Sequence, residues 1–212
     1  MLINNQTLSE QTYEELSKMI LNNRFTPGEK ITEEHVAKLL GVSRTTVKKA
    51  FTTLVKEGVL EDIPRKGVFI KMYSDQEILE IYDLREIAAG LCARYAAMNV
   101  NKKDIESLES IYKRMKKAIK NGDNGKYAQC DLELHEAVVR FSEASILPEL
   151  ISSFKLRLRP FNVVGVRDPQ KTILEHRSII DSLIEGTPDM AEKVMRDHIK
   201  TAKTYFKSDK RN

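Results

Sequence analysis

Apolar residues near the start of the chain recur at helical spacing in three separate runs. In the first run, Leu8, Tyr13, Leu16, Met19 and Ile20 share one face, and Thr7 with Glu10 makes a capping box. This predicts a helix from Thr7 to Leu21, ended by the Thr26-Pro27-Gly28 turn. A second, short helix opens at Thr32 with Val36, Leu39 and Leu40 facing inward, and stops at Gly41. Ser43 caps a third helix, whose inward stripe is Val47, Ala50, Phe51, Leu54 and Val55 and whose end is Gly58.

After Gly58 the pattern becomes that of short strands. Val59 to Ile63 and Val68 to Ile70 flank a Pro64-Arg65-Lys66-Gly67 turn, which predicts a hairpin, or wing. Beyond Tyr73 the pattern is helical throughout. Ser74 with Glu77 forms a capping box that opens a long helix to about Ala97. Later helices are punctuated at Asn101, 121–123, 145–148, 165–169 and 186–188. At Asp168-Pro169 and Thr187-Pro188 a capping side chain precedes a proline suited to the first helical turn. Six helices of roughly 15–24 residues are expected after the wing. The fold class is therefore mainly α: an N-terminal winged helix-turn-helix over 1–72, then an all-helical bundle over 73–212, with the boundary near Met72 to Asp75.

Composition narrows the setting. An apolar share of 41% in 212 residues fits a folded protein. No apolar run approaches the roughly 18 residues of a membrane span, and the N-terminus has no signal-peptide pattern. A cytoplasmic protein with no membrane partner is expected. Cys92 and Cys130 lack CxxC spacing and read as reduced, buried thiols. The formal net charge is only +4, but residues 38–71 carry eight Lys/Arg against three acids, a larger excess than that of the whole chain. Positive charge is concentrated on the third helix and the wing.

That concentration gives the helical pair a use. Two helices joined across Gly41 form a helix-turn-helix whose second member would lie in a DNA major groove. Its first turn is Ser43-Arg44-Thr45-Thr46. Arg44 can make two hydrogen bonds to a guanine edge, and Thr45 and Thr46 can reach phosphate oxygens or a thymine methyl. Lys48 and Lys49 add phosphate contacts. At the wing, Arg65 and Lys66 precede Gly67, whose missing side chain permits a tight turn and close approach to the adjacent minor groove. An ordinary solvated helical hairpin would explain the lysines but not the basic wing.

Three of the four histidines lie in the helical part. Asp131 and His135, four apart, share a helix face, while His176 and His198 sit on two other helices. Convergence of the four would suit zinc, nickel, manganese or iron, with positions left for water or an organic acid. Separate roles as hydrogen-bonded core or surface residues are the alternative. A metal-dependent hydrolase would also need a general acid or base, such as the glutamate of an HExxH motif, and none is found.

The run PGEKITEEHVAKLLGVSRTTVKKAFTTLVKEGVLEDIPRKGVFI, residues 27–70, resembles the winged-helix domain of GntR-type bacterial transcriptional regulators. The helical remainder is similar to the FadR-type subfamily with its FCD effector domain. Pro27-Gly28, the Gly41-Val42-Ser43-Arg44-Thr45 run, Glu57-Gly58 and Gly67 carry most of the likeness. The resemblance implies a homodimeric, sequence-specific DNA-binding regulator rather than an enzyme, acting on a palindromic double-stranded operator. A small carboxylate effector would modulate operator affinity; alternatively, a bound metal ion would itself be the signal. It further implies that Asp131, His135, His176 and His198 hold a divalent transition metal and that Arg85 holds the effector's carboxylate; a helix-surface salt bridge is the other role open to Arg85. Glu34 and Lys48 stand where the family usually has arginine, which implies a shifted operator or weaker binding. Leu134 replaces a common phenylalanine and Ala89 a usual glutamate, so the details of the pocket differ from the family pattern.

Overall fold

The computed structural model describes residues 6–158 and 168–209. They divide into two compact units, one built from 6–78 with 153–158 and the other from 79–152 with 168–209.

In the first unit the expected caps close the helices. The Glu10 carboxylate accepts from the Thr7 amide at 2.6 Å while Thr7 Oγ1 accepts from the Glu10 amide, opening α1 (Leu8–Leu21). Thr32 caps α2 (Glu33–Leu40), which ends at Gly41 with φ 68°. Ser43 Oγ accepts from the Thr46 amide at 3.1 Å to open α3 (Arg44–Lys56). One expected inward residue differs: Leu39 is 44% exposed and Ala37 is buried in its place. Val36 and Leu40 lie a turn apart, and the helix is rotated so that Ala37, not Leu39, completes the stripe.

The wing strands are β2 (Leu60–Ile63) and β3 (Gly67–Ile70), antiparallel with Leu60 opposite Ile70 and Ile63 opposite Gly67. A third strand, β1 (Lys30–Ile31), pairs with β3 and gives the order β1-β3-β2. Two residues carry no periodic signal, so sequence reading passed over β1. Leu16, Ile20, Val36, Val47, Phe51, Leu54, Leu60 and Ile70 form the core of this unit. Each such side chain contributes about 1.5–3 kcal/mol by leaving water.

Three side chains fasten the end of α3. Tyr13 donates to the Glu57 carboxylate at 2.9 Å, and Tyr73 donates to the Gly58 carbonyl at 2.5 Å. Burial and the adjacent Glu57 carboxylate push the Tyr13 phenol up to about 12, so it remains a donor. The third is Arg157 on α7 (Leu147–Leu158), whose Nε–H donates to the Glu57 carbonyl at 2.7 Å, while Leu156 joins the core of this unit.

The six described helices after the wing are α4 (Asp75–Asn99), α5 (Lys102–Lys120), α6 (Asn124–Phe141), α7, α8 (Pro169–Ile184) and α9 (Pro188–Asp209). They run from 12 to 25 residues, a wider spread than expected. Ser74 and Glu77 cap each other's amides at the start of α4, and Asp168 Oδ1 accepts from the Gln170 amide beside Pro169. Of the expected break at 165–169, residues 165–167 lie outside the described residues. Cys92, Leu108, Met115, Leu134, Ile179, Leu183 and Met195 fill the core of the second unit, where both cysteines are buried free thiols. No helix among the described residues is long and apolar enough to cross a membrane.

Candidate functional site

The helix-turn-helix presents one polar face. Its apolar residues, Val47, Ala50, Phe51 and Leu54, are buried, which turns Arg44, Thr45, Lys48 and Lys49 to solvent. Arg44 is 68% exposed, with its guanidinium 3.8 Å from the Glu33 carboxylate of α2. Thr46 is only half-buried, and its hydroxyl lies 2.7 Å from Ser43 Oγ within the cap. The two hydroxyls expected to face outward together are thus partly committed to starting the helix.

The wing tip differs in one respect from expectation. The Lys66 amide donates to the Ile63 carbonyl at 3.0 Å, and Arg65, at φ 66°, joins Gly67 in having positive φ within this turn. A left-handed arginine costs about 1 kcal/mol relative to ordinary backbone. Gly67 follows at φ 104°, and a Cβ there would meet Lys30 Cε at 3.1 Å. Its small size therefore admits the Lys30 side chain from β1. Sequence reading missed this cation, because only the β1–β3 register brings it against Gly67.

The second unit brings Asp131 and His135 of α6, His176 of α8 and His198 of α9 together. One potential ligand atom from each lies within 4.8 Å of all the others. His198 Nδ1 is 2.7 Å from the Glu175 carboxylate, and His198 Nε2 is 3.2 Å from His135 Nε2. A neutral His198 that donates from Nδ1 to Glu175 keeps its Nε2 lone pair toward His135. His135 can meet that lone pair as an Nε2–H donor, or both rings can turn lone pairs to one cation.

His176 supplies the sharper test. Its Nδ1 is 3.2 Å from the Tyr127 hydroxyl, and its Nε2 is 2.8 Å from Asp131 Oδ1. That approach is close enough to be an ionic contact but is not aligned as a hydrogen bond, and Nε2 is a buried polar atom without a hydrogen-bond partner. A buried nitrogen left in this state is costly unless something accepts its lone pair. The donor set of one carboxylate and three imidazoles fits a divalent transition metal. Tyr127 and Glu175, which orient the rings, carried no sequence signal, since only the folded bundle shows which histidine each one meets.

Charge reinforces the cluster. Burial opposes ionisation of Asp131, but the His176 contact and the fields of His135 and His198 outweigh it and hold the carboxyl well below its usual range. Burial drives His135 well below its usual value, with Asp131 pulling the other way and His198, His176 and Arg85 adding to the decrease. Arg85 of α4 is lowered by burial, partly offset by Tyr82 and Asp131. It therefore lies within the electrostatic reach of Asp131 and His135. Its guanidinium is 6.0 Å from the Tyr82 ring, and it forms no salt bridge among the described residues. An arginine cannot shed its proton, so it brings a permanent positive charge to the pocket.

A winged helix-turn-helix followed by an all-helical unit defines a class of DNA-binding proteins. Residues 8–70 match the bacterial regulatory proteins of the gntR family and residues 80–201 match the FCD domain. The chain belongs to the GntR family of transcriptional regulators, in the branch that carries an FCD domain, and is a DNA-binding regulator rather than an enzyme. It is 29% identical over 192 residues to the HTH-type transcriptional regulator YdhC of Bacillus subtilis, covering 89% of this chain and 86% of that one. A probable D-xylose utilization operon transcriptional repressor of Paenarthrobacter nicotinovorans is 27% identical, over 91% of this chain and 86% of the relative. The solved structure of Escherichia coli McbR/YncC superimposes with a TM-score of 0.83 at 18% identity, over 96% of this chain and 99% of that one, a likeness of fold.

Proposed function

We propose that this regulator acts in the cytoplasm as a homodimer on a palindromic operator, and that its helical unit holds a divalent transition metal together with a small organic acid. The observation that carries the proposal is the convergence of Asp131, His135, His176 and His198, with a buried His176 Nε2 beside Asp131 that has no aligned hydrogen bond. When bound, the ion would supply fixed positive charge with positions open to a carboxylate. Asp131 balances part of that charge, Glu175 and Tyr127 hold two of the rings, and Arg85 offers the effector's carboxylate a planar, two-pronged donor.

On the DNA side, Arg44 and Thr45 read base edges from α3. Ser43 starts the recognition helix, and Thr46 completes its cap while reaching the backbone. Lys48 and Lys49 hold phosphates, and Arg65, Lys66 and Gly67 bring the wing to the minor groove. The two units communicate by linkage. An effector changes operator affinity only by binding one arrangement of the DNA-binding heads more tightly than another.

Elemental analysis of the purified protein tests the pocket. His176→Ala is expected to lower bound metal well below the wild-type stoichiometry, and unchanged stoichiometry would remove His176 from the site. Operator affinity that responds to chelation with no organic acid present would make the ion alone the signal.

A further inference from the structure

Strand β1 is short, but its backbone is held firmly. Just before it begins, the Gly28 amide donates to the Ile70 carbonyl and the Ile70 amide to the Glu29 carbonyl, each at 2.9 Å. Lys30 then stands opposite Phe69 and Ile31 opposite Val68 on β3. Successive side chains of a strand point to opposite faces. Ile31, only 3% exposed, takes the core face, so Lys30 is turned to the outer face of the sheet, where it is exposed.

Residues two apart on a strand share a face, so Gly67 and Phe69 both lie on that outer face, Phe69 directly across from Lys30 and Gly67 diagonal to it. The Lys30 ammonium is 5.9 Å from the centre of the Phe69 ring. A Cβ on Gly67 would lie 3.1 Å from Lys30 Cε and 3.6 Å from Nζ. The gap left by the glycine thus holds the end of the lysine against the last residue of the wing turn. A freely solvated lysine would be indifferent to the residue at 67, whereas this one occupies space that any side chain there would contest. A carboxylate, Glu61 of β2, shares the face, but the register puts Phe69 between the two. Lys30 forms no ion pair among the described residues, and its charge is left for another partner.

We propose that Lys30 is a phosphate-binding residue of the winged unit, seated in the gap at Gly67, so that DNA arriving at the wing meets its ammonium there. The inference rests on the reading that the wing meets DNA, and adds to it a contact from a strand outside the turn. A lysine ammonium is a compact point charge that suits a phosphate, and each phosphate it neutralises releases condensed counterions from the duplex. Gly67 is then a positioning residue that acts through Lys30.

Fluorescence anisotropy of the full chain with a labelled random-sequence duplex, over a salt series and with circular dichroism to confirm folding, tests this. Lys30→Gln is expected to bind about threefold to tenfold more weakly at low salt and to lower the slope of log affinity against log salt by about one per chain, while Lys30→Arg keeps the slope. Lys30→Met, which keeps the stem and loses the charge, is expected to match Lys30→Gln. Lys171→Gln, which removes an exposed lysine from α8, measures the effect of net charge alone and is expected to leave the slope unchanged. Gly67→Ala is expected to weaken binding, and by a smaller factor in the Lys30→Gln background than in wild type. A slope for Lys30→Gln or Lys30→Met no lower than that of Lys171→Gln would overturn the contact, and equal factors for Gly67→Ala in both backgrounds would overturn the seat. A variant carrying both Arg65→Gln and Lys66→Gln separates the proposal from the reading beneath it. If that variant binds as wild type does, the wing itself does not meet DNA. If it is weakened while Lys30→Gln is not, the wing reading stands and the role of Lys30 falls.

Discussion

Arg44 and Lys49 lie about one and a half turns apart on α3, and the proposed function gives them different work. A guanidinium in the first turn can grip a guanine edge with two hydrogen bonds, so Arg44→Ala should cost about 1–3 kcal/mol on the operator and far less on random duplex. A lysine further along the helix neutralises a phosphate, so Lys49→Ala should weaken binding to every duplex and flatten the salt dependence by about one unit. Fluorescence anisotropy titrations at several salt concentrations separate the two, and equal losses on specific and random DNA for both variants would contradict the assignment. At this scale much of the chemistry is legible before folding. Ser43, Thr32 and Thr7 declare themselves as caps because a cap is a local bond between neighbours in sequence. Lys30, Tyr127 and Glu175 do not, because each meets its partner only through packing of distant segments.

The end of α3 shows how a single element is held. Gly58 adopts φ 73° just after the helix, and a Cβ there would lie 2.8 Å from the Tyr73 hydroxyl that donates to its own carbonyl. Gly58→Ala thus meets both an unfavourable backbone region and a close contact, and should destabilise the protein by about 1–3 kcal/mol. Urea unfolding of wild type and variant reads this directly; a change within 0.5 kcal/mol, about the level of a neutral surface substitution, would mean the turn relaxes at little cost. Elements with strong periodicity and caps, such as α1 and α3, were legible from the chain. Strand β1 was not, since two residues gain their strand geometry only from β3. The inward direction of α2 was half legible: Val36 was placed correctly, but the choice between Ala37 and Leu39 depended on the neighbouring helices.

Across the whole molecule, the chain divides into two units with different patterning. The winged unit could be anticipated because its signals coincide within 44 residues, 27–70. The histidine cluster could be suspected but not assembled, since α6, α8 and α9 bring together side chains separated by as many as 67 positions, 131–198. The proposed function requires the protein to select one DNA sequence over others. The most direct test is to select fragmented genomic DNA from the source organism on the purified protein at near-physiological salt and sequence what is retained. A short palindrome with half-sites about one helical turn apart, or a multiple of it, should be enriched. Retention of fragments with no shared sequence would contradict it, leaving only the attraction of a basic surface for phosphate.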